Sequence, residues 1–164
     1  MSPTMILFDF EPNVDISEWK VIDDLVMGGR SKGHFKLNAN GYGEFSGRVS
    51  LENNGGFSSL RYKFSPKKVE TFTKFKLKIK GDGKTYQFRV KTNSNDDASY
   101  VYKINTTKEW MLIDLPFETM HPQYRGRKLD RPNYPGIQME TVSFLIGNKT
   151  AESFTLLIDW IHLE

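Results

Sequence analysis

The chain contains no cysteine, which removes disulfide cross-links, thiolate zinc sites and a cysteine nucleophile together. That fits a reducing compartment. No apolar run approaches the roughly 20 residues that a helix needs to cross a bilayer. The opening Met1-Ser2-Pro3-Thr4 leads only into Met5-Ile6-Leu7-Phe8, without the basic start and long apolar core of a secretory signal or the Arg/Ser-rich character of a presequence. A cytoplasmic location is the expectation. The histidines, His34, His121 and His162, lack ligand spacing, and there is no Gly-x-Ser-x-Gly elbow, Walker loop or dinucleotide fingerprint. Asp9 or Asp159 could offer a structural calcium ion a carboxylate, but no Asp-rich loop accompanies either. Neither a cofactor nor a metal is expected. Missing too is any helical stripe longer than a turn or two.

What the chain does have is alternation. Phe75, Leu77 and Ile79 interleave with Lys74, Lys76, Lys78 and Lys80; Tyr86, Phe88 and Val90 interleave with Gln87, Arg89 and Lys91. The same period of two runs through Tyr100–Ile104 and Phe154–Trp160. A two-residue period puts one set of side chains in a core and the other in water, as in half-buried antiparallel strands. Turn residues separate the runs at Gly28-Gly29, Asn40-Gly41, Gly55-Gly56, Gly81-Asp82-Gly83, Asn93–Asp97 and Gly147-Asn148. The spacing predicts strands over 5–10, 19–22, 32–37, 44–51, 57–64, 75–80, 86–91, 100–105, 110–115, 141–146 and 154–163. Helical turns are expected at 66–70 and 116–120. The 164 residues form one all-β domain of two antiparallel sheets, a β-sandwich or jelly roll, with the first and last strands close together. Trp19, Trp110 and Trp160 fall within strand runs and are expected in the core. The segment 121–136, with Pro122, Pro132 and Pro135, lacks alternation and reads as a long, functional loop.

Two glycine runs draw the eye: Asp23-Asp24-Leu25-Val26-Met27-Gly28-Gly29-Arg30-Ser31 and Glu52-Asn53-Asn54-Gly55-Gly56-Phe57. Glycine permits positive φ and close backbone approach, so neighbouring N–H groups can converge on one acceptor. Either each run is an ordinary turn, or the two form a shared loop cluster. Asp23, Asp24 and Glu52 are carboxylates of the type that perform acid–base work in pairs, though nothing in the sequence sets the required separation. Carboxylates accepting backbone N–H bonds in turns are the plainer alternative.

Charge is uneven. Between Arg61 and Lys91 there are 11 Lys/Arg against Glu70 and Asp82, a balance of +9, while the remainder carries 12 basic and 18 acidic residues, −6. Alternation aims Lys74, Lys76, Lys78 and Lys80 outward, and Arg61, Lys63, Arg89 and Lys91 are expected to extend that face. One positive sheet surface would result, able to attract RNA or another anion, or simply to remain solvated and block edge aggregation. Outward aromatics are few there, so base stacking is not signalled.

Asp23-Asp24-x-Val26-Met27-Gly28-Gly29-x-Ser31 resembles the opening signature of the complex I intermediate-associated protein 30 family. The resemblance continues through Gly43-x-Phe45-x-Gly47-x-Val49-Ser50-x-Glu52-Asn53-Asn54-Gly55-Gly56-Phe57, Gly81-Asp82-Gly83-x-x-Tyr86, Trp110, Pro116-Phe117, Arg125-Gly126 and Phe154-x-Leu156-x-Ile158. It implies a galactose-binding-like jelly roll, a fold shared with carbohydrate-binding modules, and no established catalytic residues. Mitochondrial members are assembly factors for respiratory NADH:ubiquinone oxidoreductase. Without a presequence, this chain reads as a stand-alone bacterial-type relative with a different client. The expectation is therefore a non-enzymatic binding domain that assists assembly of a protein complex. Its partner surface would be Asp23, Asp24, Met27, Gly28, Gly29, Ser31, Glu52, Asn53, Asn54, Gly55, Gly56 and Phe57, with Arg125 and Arg127 from the long loop. Interfaces favour its Arg, Met and aromatic residues. A carbohydrate-binding module, using Asp24, Asn53, Asn54 and an exposed ring, is the alternative.

Overall fold

The computed structural model of the chain describes residues 3–24 and 28–164. Its strands are β1 Met5–Asp9, β2 Trp19–Asp23, β3 Lys32–Leu37, β4 Gly43–Val49, β5 Ser58–Lys68, β6 Lys74–Lys80 and β7 Thr85–Lys91. They continue with β8 Ser99–Asn105, β9 Trp110–Pro116, β10 His121–Tyr124, β11 Arg127–Lys128, β12 Gln138–Ile146 and β13 Glu152–Leu163. All eleven expected strands are present, with ends shifted by a few residues.

The strands form two antiparallel sheets. A six-stranded sheet runs β3-β4-β13-β6-β9, and β1 follows β4 along the same edge of β13. Met5 faces Leu163 in that pairing, so the two ends of the chain are neighbours. A seven-stranded sheet runs β11-β10-β8-β7-β12-β5-β2. Alternate residues of both sheets meet between them: Phe75, Leu77 and Ile79 from β6, Phe88 from β7, Phe144 from β12 and Leu156 from β13 are fully or almost fully buried. Phe88 stands edge-on to Phe75 and Phe144, with centroids at 4.8 and 5.1 Å. Burying such rings is worth roughly 1.5–3 kcal/mol each, which makes this layer the main source of stability.

Three expectations are corrected. The span 66–70 is not a helical turn, because β5 runs on to Lys68 and pairs with Met139 and Gln138 of β12. The helical turn expected at 116–120 is present, as a short 3-10 helix at Phe117–Thr119, and another lies at Glu52–Asn54. The expected loop at 121–136 instead begins with the β10–β11 hairpin, which extends the seven-stranded sheet. Arg125 and Gly126, at φ +49° and +78°, make its two-residue turn, the left-handed pair that matches strand twist. Trp19 is buried, stacked on Tyr62 at 4.8 Å. Trp110 and Trp160 are not core residues: both lie part-exposed on the outer face of the six-stranded sheet, against Tyr42 and His162 respectively. Among the described residues, no helix is long and apolar enough to cross a membrane.

Candidate functional site

The two glycine runs do converge, and the meeting point is one carboxylate. β2 ends at Asp23 on the edge of the seven-stranded sheet; the chain then crosses to β3 on the edge of the six-stranded sheet. The run after β4 crosses back to β5. Asp24 sits fully buried where these crossings touch. Its Oδ2 accepts the Ser31 hydroxyl at 2.6 Å and the N–H groups of Gly56 and Phe57 at 2.7 and 3.2 Å. Its Oδ1 accepts the Ser31 N–H at 3.0 Å, and its carbonyl accepts the Gly29 N–H at 2.9 Å. The Ser31 hydroxyl in turn accepts the Ser50 N–H at 2.9 Å.

Asp23 performs the same service next door. It accepts the Gly33 N–H at 2.9 Å and the Ser58 hydroxyl, tying β3 and β5 to β2. The pair is a clasp that closes one edge of the sandwich. Burial by itself pushes the Asp24 carboxyl up, but the bonds from the Ser31 side chain and from the Gly56, Ser31 and Phe57 amides outweigh it, so the group titrates below its ordinary 3.8. A carboxylate shielded from solvent, with four donors already bound to it, is poorly placed to act as an acid or base on a substrate.

The glycines have separate jobs. Gly28 is at φ +84° with open space around it, so its need is conformational. Gly29 and Gly55 need clearance: a Cβ there would lie 2.4 Å from Asp24 Cγ and 2.5 Å from Asp24 Oδ2. Met27 lies outside the described residues, as does the side chain of Asn54. Glu52 and Asn53 are exposed, with Asn53 at φ +56°. Beside them, Arg30, Arg48, Ser50, Leu51, Glu52 and Ala151 line a depression of about 690 Å³. Arg30 stood within the first glycine run, whereas Arg48 and Leu51 were not among the residues singled out above. Only the fold brings them together, although the exposure of Leu51, 45%, marks it once the surface is known.

Arg125 and Arg127 do not join this cluster. Arg125 lies in the β10–β11 turn and Arg127 opens β11, at the edge of the seven-stranded sheet opposite β2. The single basic face also divides. β6 belongs to the six-stranded sheet, whereas β5 and β7 belong to the seven-stranded one, so Lys74, Lys76, Lys78 and Lys80 lie on one outer face and Arg61, Lys63, Arg89 and Lys91 on the other. Alternation tells inward from outward but not which sheet receives a strand. The first set is largely neutralised: Asp114 is 3.5 Å from Lys74 and 3.9 Å from Lys76, Glu164 is 3.8 Å from Lys76, and Asp159 is 3.3 Å from Lys78. Asp9 accepts from or pairs with His162 Nε2 at 2.8 Å, so both candidate calcium carboxylates have partners within the chain. Among the described residues no group of three or more His, Asp or Glu side chains is placed to hold a metal ion.

Comparison with known proteins agrees with this architecture. Residues 8–158 match the family described as Complex I intermediate-associated protein 30. A mouse protein, "Complex I intermediate-associated protein 30, mitochondrial", is 22% identical over 98% of this chain. The chain spans 56% of that relative's length. A family 11 carbohydrate-binding module of a cellulosomal cellulase of Clostridium thermocellum superposes with TM-score 0.74 at 17% identity, covering 99% of this chain and 95% of that one. The family 11 module from the same organism in complex with a β-1,3-1,4-mixed-linked tetrasaccharide gives 0.70 at 18%, covering 98% and 94%. A family 29 module gives 0.58 at 10%, covering 99% and 91%. At these identities the neighbours establish the jelly-roll fold alone. The match over residues 8–158, spanning both glycine runs and the closing strand, makes the chain a member of the Complex I intermediate-associated protein 30 family.

Proposed function

We propose that this chain is a non-catalytic protein-binding domain that assists assembly of a protein complex. The observation that carries this reading is the saturation of Asp24. The carboxylates of the family signature are spent on holding two crossings together, and an exposed shelf is what the clasp supports. Leu51 and Glu52 line that depression together with Arg30 and Arg48, an exposed apolar side chain among charges, which suits a protein interface. The printed name of the mouse relative points to assembly of complex I for that protein; the client of this chain is of the same kind, a subunit or intermediate of a larger assembly. The test is quantitative co-purification from the native host with the wild-type chain and with Leu51→Asp and Arg48→Glu variants of unchanged fold. A reproducible partner lost from both variants is expected. Absence of any reproducible protein partner of the wild type would refute the reading.

Trp110 and Trp160 favour a second reading, saccharide binding. Both rings are part-exposed on the outer face of the six-stranded sheet, with Lys78 Nζ 5.6 Å from the Trp110 centroid and Asp159 beside it. Rings flanked by charged hydrogen-bonding groups suit a sugar face. Calorimetry with β-1,3-1,4-mixed-linked tetrasaccharide separates the readings: heat lost in Trp110→Ala and Trp160→Ala supports it, and no heat removes it.

A further inference from the structure

The opposite outer face, that of the seven-stranded sheet, carries cations whose neighbouring carboxylates stand at one end of the group. The strand register places Lys20, Arg61, Ser143 and Arg89 directly across from one another on β2, β5, β12 and β7. The row continues through Val101 and His121. Lys63, Thr141 and Lys91 form the next row. Among the described residues, none of Lys20, Arg61, Lys63, Arg89 and Lys91 makes an ion pair, in contrast to the laced lysines of β6. Two of the five are part-buried. Arg89 is steadied by Nε and Nη2 donating to Gln87 Oε1 at 2.9 and 2.8 Å, and Lys91 by Nζ donating to the Asp96 carbonyl at 2.8 Å. Burial pulls down the Arg89 guanidinium and the Lys91 ammonium, and the Arg61 charge pulls Lys91 further. Val101, next in the Arg89 row, is fully buried without belonging to the central core. Like charges held together and half-removed from water favour an incoming anion.

We infer that the Arg61–Arg89 face of the seven-stranded sheet binds a carboxylate-bearing extended segment of a partner polypeptide. This rests on the protein-binding reading above and names the chemistry of the partner. Three observations select such a segment. No Phe, Tyr or Trp stands in these rows, so the stacking surfaces for nucleobases or sugar rings are limited to the His121 imidazole and the Arg61 and Arg89 guanidinium planes. Carboxylates limit the cationic island at its Lys63–Lys91 end, with Glu18 and Glu140 beside Lys63 and Asp96 and Asp97 acting on Lys91, so a uniformly charged polyanion is repelled at that rim. Arg61 and Lys63, like Arg89 and Lys91, repeat at about 7 Å along their strands, the spacing of alternate side chains on an extended segment.

The experiment is backbone amide NMR of the full chain titrated with a capped peptide of about ten residues carrying two glutamates at alternate positions. Control arms use the Glu→Gln peptide, inorganic phosphate, a uridine oligonucleotide and a uronate disaccharide. Saturable shifts confined to residues 59–63, 87–91 and 141–145 are expected from the glutamate peptide, weakening several-fold as salt rises from about 50 to about 200 mM. Arg61→Gln and Arg89→Gln should each weaken it about fivefold or more, and Lys76→Gln should not change it. Arg61 is exposed, so that variant reports even if Arg89→Gln is unstable. Equal response to the Glu→Gln peptide, shifts on the six-stranded sheet, or tighter saturation of the same amides by phosphate, RNA or uronate would overturn the inference. In co-purification, an Arg61→Gln/Arg89→Gln chain that keeps the wild-type partner rejects this face and leaves the protein-binding reading standing. A wild-type chain that binds the peptide but captures no protein rejects that reading instead.

Discussion

Replacing Asp24 by Asn measures the clasp directly. The amide is the same size, but one of its two ends must now present N–H hydrogens to a donor. With the carbonyl in the Oδ2 position, the amino group faces the Ser31 N–H at about 3.0 Å; flipped, it faces the Ser31 hydroxyl and the Gly56 and Phe57 amides. The better orientation loses one bond and turns three charge-assisted bonds into neutral ones. Hydrogen bonds to charged groups contribute roughly 1.5–3 kcal/mol against roughly 0.5–1.5 for neutral ones, so with partial relaxation the loss is about 3 kcal/mol. For a domain of this size that lowers Tm by roughly 6–12 °C. Urea denaturation at neutral pH with an unchanged m-value is the assay. Its pH dependence adds a second test. Asp24 in the folded chain titrates below 3.8, so its stabilisation is complete above the unfolded value and disappears as pH falls through the folded one. The gap between wild type and Asp24→Asn should therefore be constant down to the neighbourhood of 3.8 and narrow beneath it. A gap under about 0.5 kcal/mol at neutral pH, or one that does not narrow in acid, would refute the clasp as described.

Gly29→Ala should cost as much as Asp24→Asn and be strongly non-additive with it, because its Cβ would displace the same carboxylate, whereas Gly28→Ala should cost only about 1–2 kcal/mol of backbone strain and add independently; a thermal-melt double-mutant cycle checks both. Asp114→Asn, although it faces Lys74 and Lys76, should change stability by less than about 1 kcal/mol because the side chain is more than half exposed; a larger loss in urea denaturation would mean a tighter ion-pair network. Trp19→Phe should cost packing only, about 1–2 kcal/mol, since Trp19 Nε1 has no hydrogen-bond partner among the described residues. Arg125→Gly should be neutral or slightly stabilising by calorimetry, because the residue already sits at φ +49° in a two-residue turn.

Residue order alone determined the all-β class and eleven strands, because side-chain alternation and glycine turns are local properties that each strand carries by itself; the family was legible only through the resemblance of the paired glycine motifs. It also brought out Asp23, Asp24 and the glycine pairs. The β10–β11 hairpin stayed hidden because Pro122 interrupts its alternation and β11 is only two residues long. Tertiary structure alone decided which sheet each strand joins, and that assignment divided one apparent basic face into a neutralised set on β6 and an unmatched set on β5 and β7. It likewise sent Arg125 to the far edge and gathered Arg30, Arg48 and Leu51 beside the clasp. The physical reason is that alternation specifies the face a side chain takes within its own strand, whereas the neighbour across the ladder is set by pairings between residues tens of positions apart, such as Arg61 and Arg89 on either side of Ser143.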